Sequence, residues 1–157
     1  MQLTGLHHVT AVTAHAAENL KFYTEVLGLR LVKKTVNQDD VSAYHLFYGD
    51  EKGNPGTEVT FFDWGFAAPR HHGTGTISEI GLRVPDAHAL EWWHKRFEEY
   101  EVKNGVVDSR NTRASLPFSD SEGAAPRCSS RKKERVKYGA ARRGLKALCR
   151  ERSRFGG

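Results

Sequence analysis

The chain has 157 residues and a net charge of +5, room for one domain or two small units sharing a core. No apolar run is long enough to span a bilayer and the Met1-Gln2-Leu3-Thr4 start lacks a signal-peptide pattern, so a cytoplasmic protein with no membrane partner is expected. Both cysteines, Cys128 and Cys149, lie near the C-terminus without CxxC spacing; they give neither a disulfide framework nor a zinc site, and metal chemistry would fall to histidines and carboxylates.

Leu3–Thr13 alternates as a strand. Ala14–Leu27 follows as a helix with Leu20, Tyr23 and Leu27 on one stripe, and Gly28 stands where a left-handed C-cap is needed. Leu29–Val36, Ala43–Tyr48 and Glu58–Trp64 are strands, the last two separated by turn residues from Gly49 to Gly56. The order is βαβββ. The pattern then restarts: Ile77–Val84 is a strand, Asp86 an N-cap, and Leu90, Trp93 and Phe97 form a second helical stripe. Val106–Asp108 and Ala114–Phe118 are short strands before the turn Ser119–Gly123. Aligning His8-Val9-Thr10 with Glu79-Ile80-Gly81 superposes two strand-then-helix units, an internal repeat.

Charge divides the chain differently. Residues 124–157 hold twelve basic and two acidic side chains, a local charge of +10, which leaves residues 1–123 at −5. The sequence therefore predicts three segments: a first module over 1–70, a second and incomplete one over 71–123, and a basic tail over 124–157. With Tyr138 and Phe155 its only aromatic residues and no helix-turn-helix or zinc pattern, the tail carries no specific nucleic-acid signal.

Leu6-His7-His8-Val9-Thr10, Phe22-Tyr23 with Val26-Leu27-Gly28-Leu29, Tyr44-His45-Leu46-Phe47-Tyr48-Gly49-Asp50 and Gly56-Thr57-Glu58-Val59-Thr60-Phe61-Phe62 resemble the vicinal oxygen chelate superfamily of glyoxalases, bleomycin-resistance proteins and extradiol dioxygenases. Lys34-Thr35-Val36-Asn37-Gln38-Asp39-Asp40 is similar to the bacterial ring-cleaving branch, whose members have four such modules and about twice this length. The resemblance implies an α+β fold of two βαβββ modules, the second lacking its last strand. It implies Fe(II), with a small aromatic substrate of catechol or hydroquinone type. In that branch the iron is held by a first-strand His, matched here by His8, and by a His and a Glu of the fourth module; a two-His, one-carboxylate face leaves adjacent positions for the substrate oxygens and O₂.

A glyoxalase-type isomerase is the alternative in which Glu58, on the fourth strand, joins His8 as a metal ligand. A non-catalytic binding module of the bleomycin-resistance kind is the other. His7 is expected on the opposite face of the strand from His8, Glu79 in solvent, His71 and His72 in an exposed linker, and His45 toward the module cavity; His15, His88 and His94 are expected at the surface.

After Gly123 the family continues with a strand of the Gln-Arg-Leu type, where this chain has Ala124-Ala125-Pro126-Arg127-Cys128-Ser129. The codons GCA GCG CCT CGC TGT TC, one choice for that segment, read one nucleotide later as Gln-Arg-Leu-Ala-Val. The tail is accordingly expected to be disordered or an out-of-frame product, the chain a truncated dioxygenase that is inactive alone, and the open sheet edges a route to self-association.

Overall fold

Two four-stranded sheets with the same strand order carry the computed structural model, which describes residues 5–68, 73–111, 113–124 and 126–130. The first unit contains β1 (His8–Thr13), α1 (Ala16–Lys21) running into a π-helical turn (Phe22–Val26), β2 (Arg30–Val36), β3 (Tyr44–Gly49) and β4 (Glu58–Asp63). The second contains β5 (Ile80–Val84), α2 (Ala87–Glu99), β6 (Asp108–Asn111), β7 (Arg113–Pro117) and β8 (Pro126–Ser130). The orders are β1-β4-β3-β2 and β5-β8-β7-β6. In each unit the helix carries the chain to the far edge of its sheet. A meander then returns it, so that β4 lies parallel to β1 and β8 parallel to β5.

The repeat extends to the loops. Asp50 Oδ1 accepts from the N–H groups of Lys52 and Asn54 at 3.1 and 3.0 Å. Asp120 Oδ1 accepts from those of Glu122 and Ala124 at 3.1 and 2.8 Å. In both loops the residue three places on is a glycine with positive φ, 65° at Gly53 and 76° at Gly123, a backbone that a side chain would strain.

Gly28 closes the first helix as its sequence position predicts: its φ is 68°, and Leu29 N–H reaches back to Tyr23 O at 2.9 Å. The π-turn, marked by Leu27 N–H to Phe22 O at 3.1 Å, adds one residue to the helical phase. Phe22, Tyr23, Val26 and Leu27 are buried together with Asn19, and Leu20, expected inside, is exposed. The second helix follows its pattern: Asp86 caps Ala89 N–H at 3.0 Å, and Leu90, Trp93 and Phe97 are buried.

The end of the second unit corrects the sequence expectation of a missing last strand and of a module ending at Gly123. Pro126–Ser130 form β8 between β5 and β7, with Pro126, Cys128 and Ser130 buried and Arg127 and Ser129 half-buried. Proline is tolerated because it is the first residue of the strand, and its carbonyl accepts from Phe118 N–H at 3.1 Å. The tail from Arg131 to Gly157, with Cys149, lies outside the described residues, as do His71 and His72.

One core runs through both units. Phe118 of the second stands 6.4 Å from Phe22 of the first and 4.5 Å from Phe97, between ring centres, within one buried cluster. The second unit also grips both ends of the first helix. Glu122 accepts from Ala14 N–H at 2.7 Å and from the Thr13 hydroxyl. Arg96 donates to Val26 O at 2.7 Å and to Glu25 O at 2.5 Å. A carboxylate at the N-terminus and a guanidinium at the C-terminus match the helix dipole.

Candidate metal centre

Strand alternation builds the site. Leu46, Tyr48, Val59 and Phe61 enter the core, so their neighbours His45, Phe47, Glu58 and Thr60 project from the opposite face of the first sheet. The parallel register of β1 and β4 sets His8 opposite Glu58 and Thr10 opposite Thr60. Beside Glu58 the next strand carries Gly49, where a Cβ would stand 3.3 Å from Glu58 Cγ. The missing side chain leaves room for the carboxylate.

His8 and Glu58, the two ligands anticipated from the sequence, are thus brought together. His7 joins them, contrary to the expected opposite face, because it lies one residue before β1 and the strand period does not bind it. One donor atom from each of His7, His8 and Glu58 lies within 4.8 Å of the others. His7 Nδ1 is 3.0 Å from His8 Nδ1 and 3.4 Å from Glu58 Oε2. With bonds of about 2.1 Å to a divalent ion, cis donors stand roughly 3.0–3.4 Å apart. Two imidazoles and a carboxylate at these separations fit a first-row transition metal. Glu58 is 10 % exposed and His7 62 %, so the centre is anchored on its inner side and open on its outer one.

A row of rings adjoins the cluster. The His8 ring centre is 6.0 Å from that of Phe47, Phe47 is 4.0 Å from His45, His45 is 4.2 Å from Phe62, and Phe62 is 5.4 Å from Trp64. The His45 ring is held by Thr60 Oγ1, 3.0 Å from its Nε2, and the Thr60 hydroxyl lies 2.8 Å from that of Thr10. Burial, followed by the neighbouring His8 and Lys33, pushes the His45 pKa down and favours its neutral form. The apolar pattern of Tyr44–Gly49 marks β3 in the sequence, but nothing in it signals the ring row.

The second unit does not repeat the centre. Glu79, at the position matching His8, is exposed as expected and also pairs with Arg127 Nε at 2.9 Å, and Arg127 Nη1 donates to Ser115 Oγ at 3.1 Å. A cavity of about 650 Å³ lies between the β1 and β5 segments, with Tyr23 and Asp120 in its wall. Burial, aided by Asp120, raises the Tyr23 pKa well above its ordinary value. His88 and His94 pair with Glu91 and Glu98 at 3.6 and 3.5 Å along the second helix, and His15 is exposed; none of them approaches the cluster. Among the described residues no helix is long and apolar enough to cross a membrane.

The doubled βαβββ fold defines a paired-module α+β protein, with two imidazoles and a carboxylate at the β1–β4 pair as its candidate metal site. The chain belongs to the Glyoxalase/Bleomycin resistance protein/Dioxygenase superfamily, whose family model matches residues 5–123. It is 56 % identical over 123 residues to a Bacillus subtilis protein named "Putative ring-cleaving dioxygenase MhqA", covering 78 % of this chain and 39 % of that one. It is 37 % identical over 112 residues to the chlorohydroquinone/hydroquinone 1,2-dioxygenase of Sphingobium indicum, covering 69 % and 33 %. A solved dioxygenase-type structure from Bacillus subtilis superposes with a TM-score of 0.76 at 40 % identity, over 82 % of this chain and 41 % of that one. The chain therefore spans about two-fifths of the length of the first of these relatives.

Proposed function

We propose that this chain supplies the first-strand ligand, His8, of a ring-cleaving dioxygenase, and that, unlike the fourth-module ligands the resemblance implies, Glu58 joins it within this chain, with His7 beside them and an aromatic substrate laid along the ring row. The observation that carries this reading is the β1–β4 register, which sets His8 against Glu58 on a face otherwise made of rings and hydroxyls. The similarity to proteins named as ring-cleaving dioxygenases supports it. Fe(II), when bound, supplies the one-electron chemistry with O₂ and the attachment point for paired ring oxygens. The chain's own residues do the rest. Glu58 offsets part of the ion's charge, Phe47 and Phe62 keep water from the ring faces, and Thr60 fixes the His45 ring. His7, outermost and exposed, is placed to take a proton as a ring hydroxyl binds.

Ring cleavage is proposed for the longer protein of which such a segment is part, and metal and ring binding for this chain. A glyoxalase-type isomerase shares His8 and Glu58 and is favoured by the same register; a non-catalytic binding module needs no metal. Metal titration of the parent, His8→Ala and Glu58→Ala separates these. Stoichiometric Fe(II) binding in the parent, weakened about a hundredfold in both variants with melting temperatures preserved, is the expected result. A parent that binds no metal stoichiometrically would replace it with the binding-module reading. Oxygen uptake with catechol or hydroquinone, against isomerisation of a thiol–ketoaldehyde adduct, divides the two metal-dependent activities.

Self-association is proposed through the open sheet edges, with β6, the outer edge of the second sheet, favoured over its counterpart in the first. The corresponding edge of the first, β2, carries Arg30, Lys33 and Lys34, charges that discourage pairing between copies.

A further inference from the structure

We propose that Lys33 forms a subsite for an anionic substituent, so that the ligand of this face is an aromatic ring bearing a carboxylate or a comparable anion. The inference rests on the ring-binding reading above and narrows its substrate class. Lys33 pairs with Phe47 across β2 and β3. Its Nζ stands 5.7 Å from the centre of the Phe47 ring, and that centre is 6.0 Å from the His8 ring. Phe47 thus lies between the candidate metal ligands and a cation. A single benzenoid ring whose oxygens address His8 and Glu58 would lie along Phe47 and turn its far edge toward Lys33.

The Lys33 ammonium stands over the Phe47 ring at 5.7 Å, near the outer limit of a cation–π contact, and keeps donors for an anion. Among the described residues no carboxylate stands within ion-pair distance of Lys33. Its neighbour Lys34, by contrast, is committed to the Tyr44 ring, with Nζ 3.8 Å from the ring centre. The half-buried floor of Phe47, His45 and Phe62 lowers the local dielectric on one side of the ligand, which strengthens a charge contact relative to open solvent. Lys33 itself is exposed, so the contact is of the modest, salt-sensitive kind. It discriminates between ring substituents without governing whether a ring binds.

The test is calorimetric titration of the full chain loaded with Mn(II), using catechol and 3,4-dihydroxybenzoate as probes, in the parent and in Lys33→Met and Lys33→Gln. Both variants are expected to bind 3,4-dihydroxybenzoate about fivefold more weakly and catechol unchanged. In the parent, the preference for the carboxylated ring should fade as salt is raised. Equal loss for both probes, or loss for neither, overturns the proposal. Failure of the metal reading is read separately: His8→Ala with unchanged catechol affinity removes that reading. The Lys33 effect is then decided in the metal-free protein, where benzoate must lose affinity in Lys33→Met and benzyl alcohol must not; any other pattern overturns it.

Discussion

At Gly49 a Cβ would stand 3.3 Å from Glu58 Cγ and 3.6 Å from the Thr57 hydroxyl, inside a tight part of the sheet. Alanine there keeps an ordinary strand backbone and reduces the freedom of the unfolded chain, so Gly49→Ala should leave the melting temperature unchanged or slightly raised. The same methyl crowds Glu58 from the β3 side and displaces its carboxylate from the position it holds opposite His8. Metal affinity is expected to fall about tenfold, the equivalent of about 1.4 kcal/mol. Metal titration alongside thermal denaturation checks both halves, and unchanged affinity would argue against Glu58 as a ligand. His8 could be singled out as a candidate because flanking motifs pointed to it, and Glu58 because of the fourth-strand pattern. His7 could not, since the period-two rule applies only inside the strand and His7 lies one residue before it. The clearance at Gly49 was equally hidden: a glycine at the end of a strand reads as a turn signal, and its role depends on which residue the neighbouring strand sets beside it.

The two aspartate loops are one element used twice, with opposite electrostatic outcomes. At Asp50 burial pushes the pKa up, but hydrogen bonds from Asn54, Lys52 and Gly53 outweigh it and the net shift is downward from 3.8. At Asp120 burial prevails over the hydrogen bonds from Ala124, Glu122 and Tyr23, and the shift is upward. A depressed folded pKa stabilises the protein above the unfolded value of 3.8, and this contribution is lost as pH falls through the folded value. A raised one does the reverse: stability falls as pH climbs from 3.8 toward the folded value. Asp50→Asn should therefore lower the melting temperature at pH 7, by about 5 °C for roughly 1 kcal/mol, with a smaller deficit near pH 3. Asp120→Asn should compare more favourably with the parent at pH 7 than near pH 3. Melting curves of the three proteins across that range check the signs, and parallel shifts in the two variants would contradict them. Elements were otherwise legible where period and cap agreed, as in α2 with Asp86, Leu90, Trp93 and Phe97. They were misread where a local irregularity intervened: the π-turn that turns Leu20 outward, and the proline, serine and cysteine of β8, whose alternation is carried by residues that are not strongly apolar.

For the molecule as a whole, the inter-unit contacts decide whether two repeats behave as one body. Phe118 bridges Phe22 and Phe97, and Arg96 joins α2 to the carbonyls that end the first helix. The guanidinium also lies over the Trp92 and Tyr100 rings, at 5.4 and 4.7 Å from their centres, which pre-orders it for those carbonyls. Arg96→Ala removes charge-assisted donors to two helix-end carbonyls and the dipole contact together, an expected loss of about 2 kcal/mol. Lysine at this position keeps the charge without the planar fork and should recover only part of that loss. Because the buried cluster is continuous, the loss should move one shared transition rather than release the second unit alone. Tryptophan fluorescence, which samples Trp64 in the first unit and Trp92 and Trp93 in the second, should therefore remain coincident with far-ultraviolet circular dichroism in Arg96→Ala. If the two signals separate, the units unfold independently and the aromatic bridge through Phe118 is too weak to couple them.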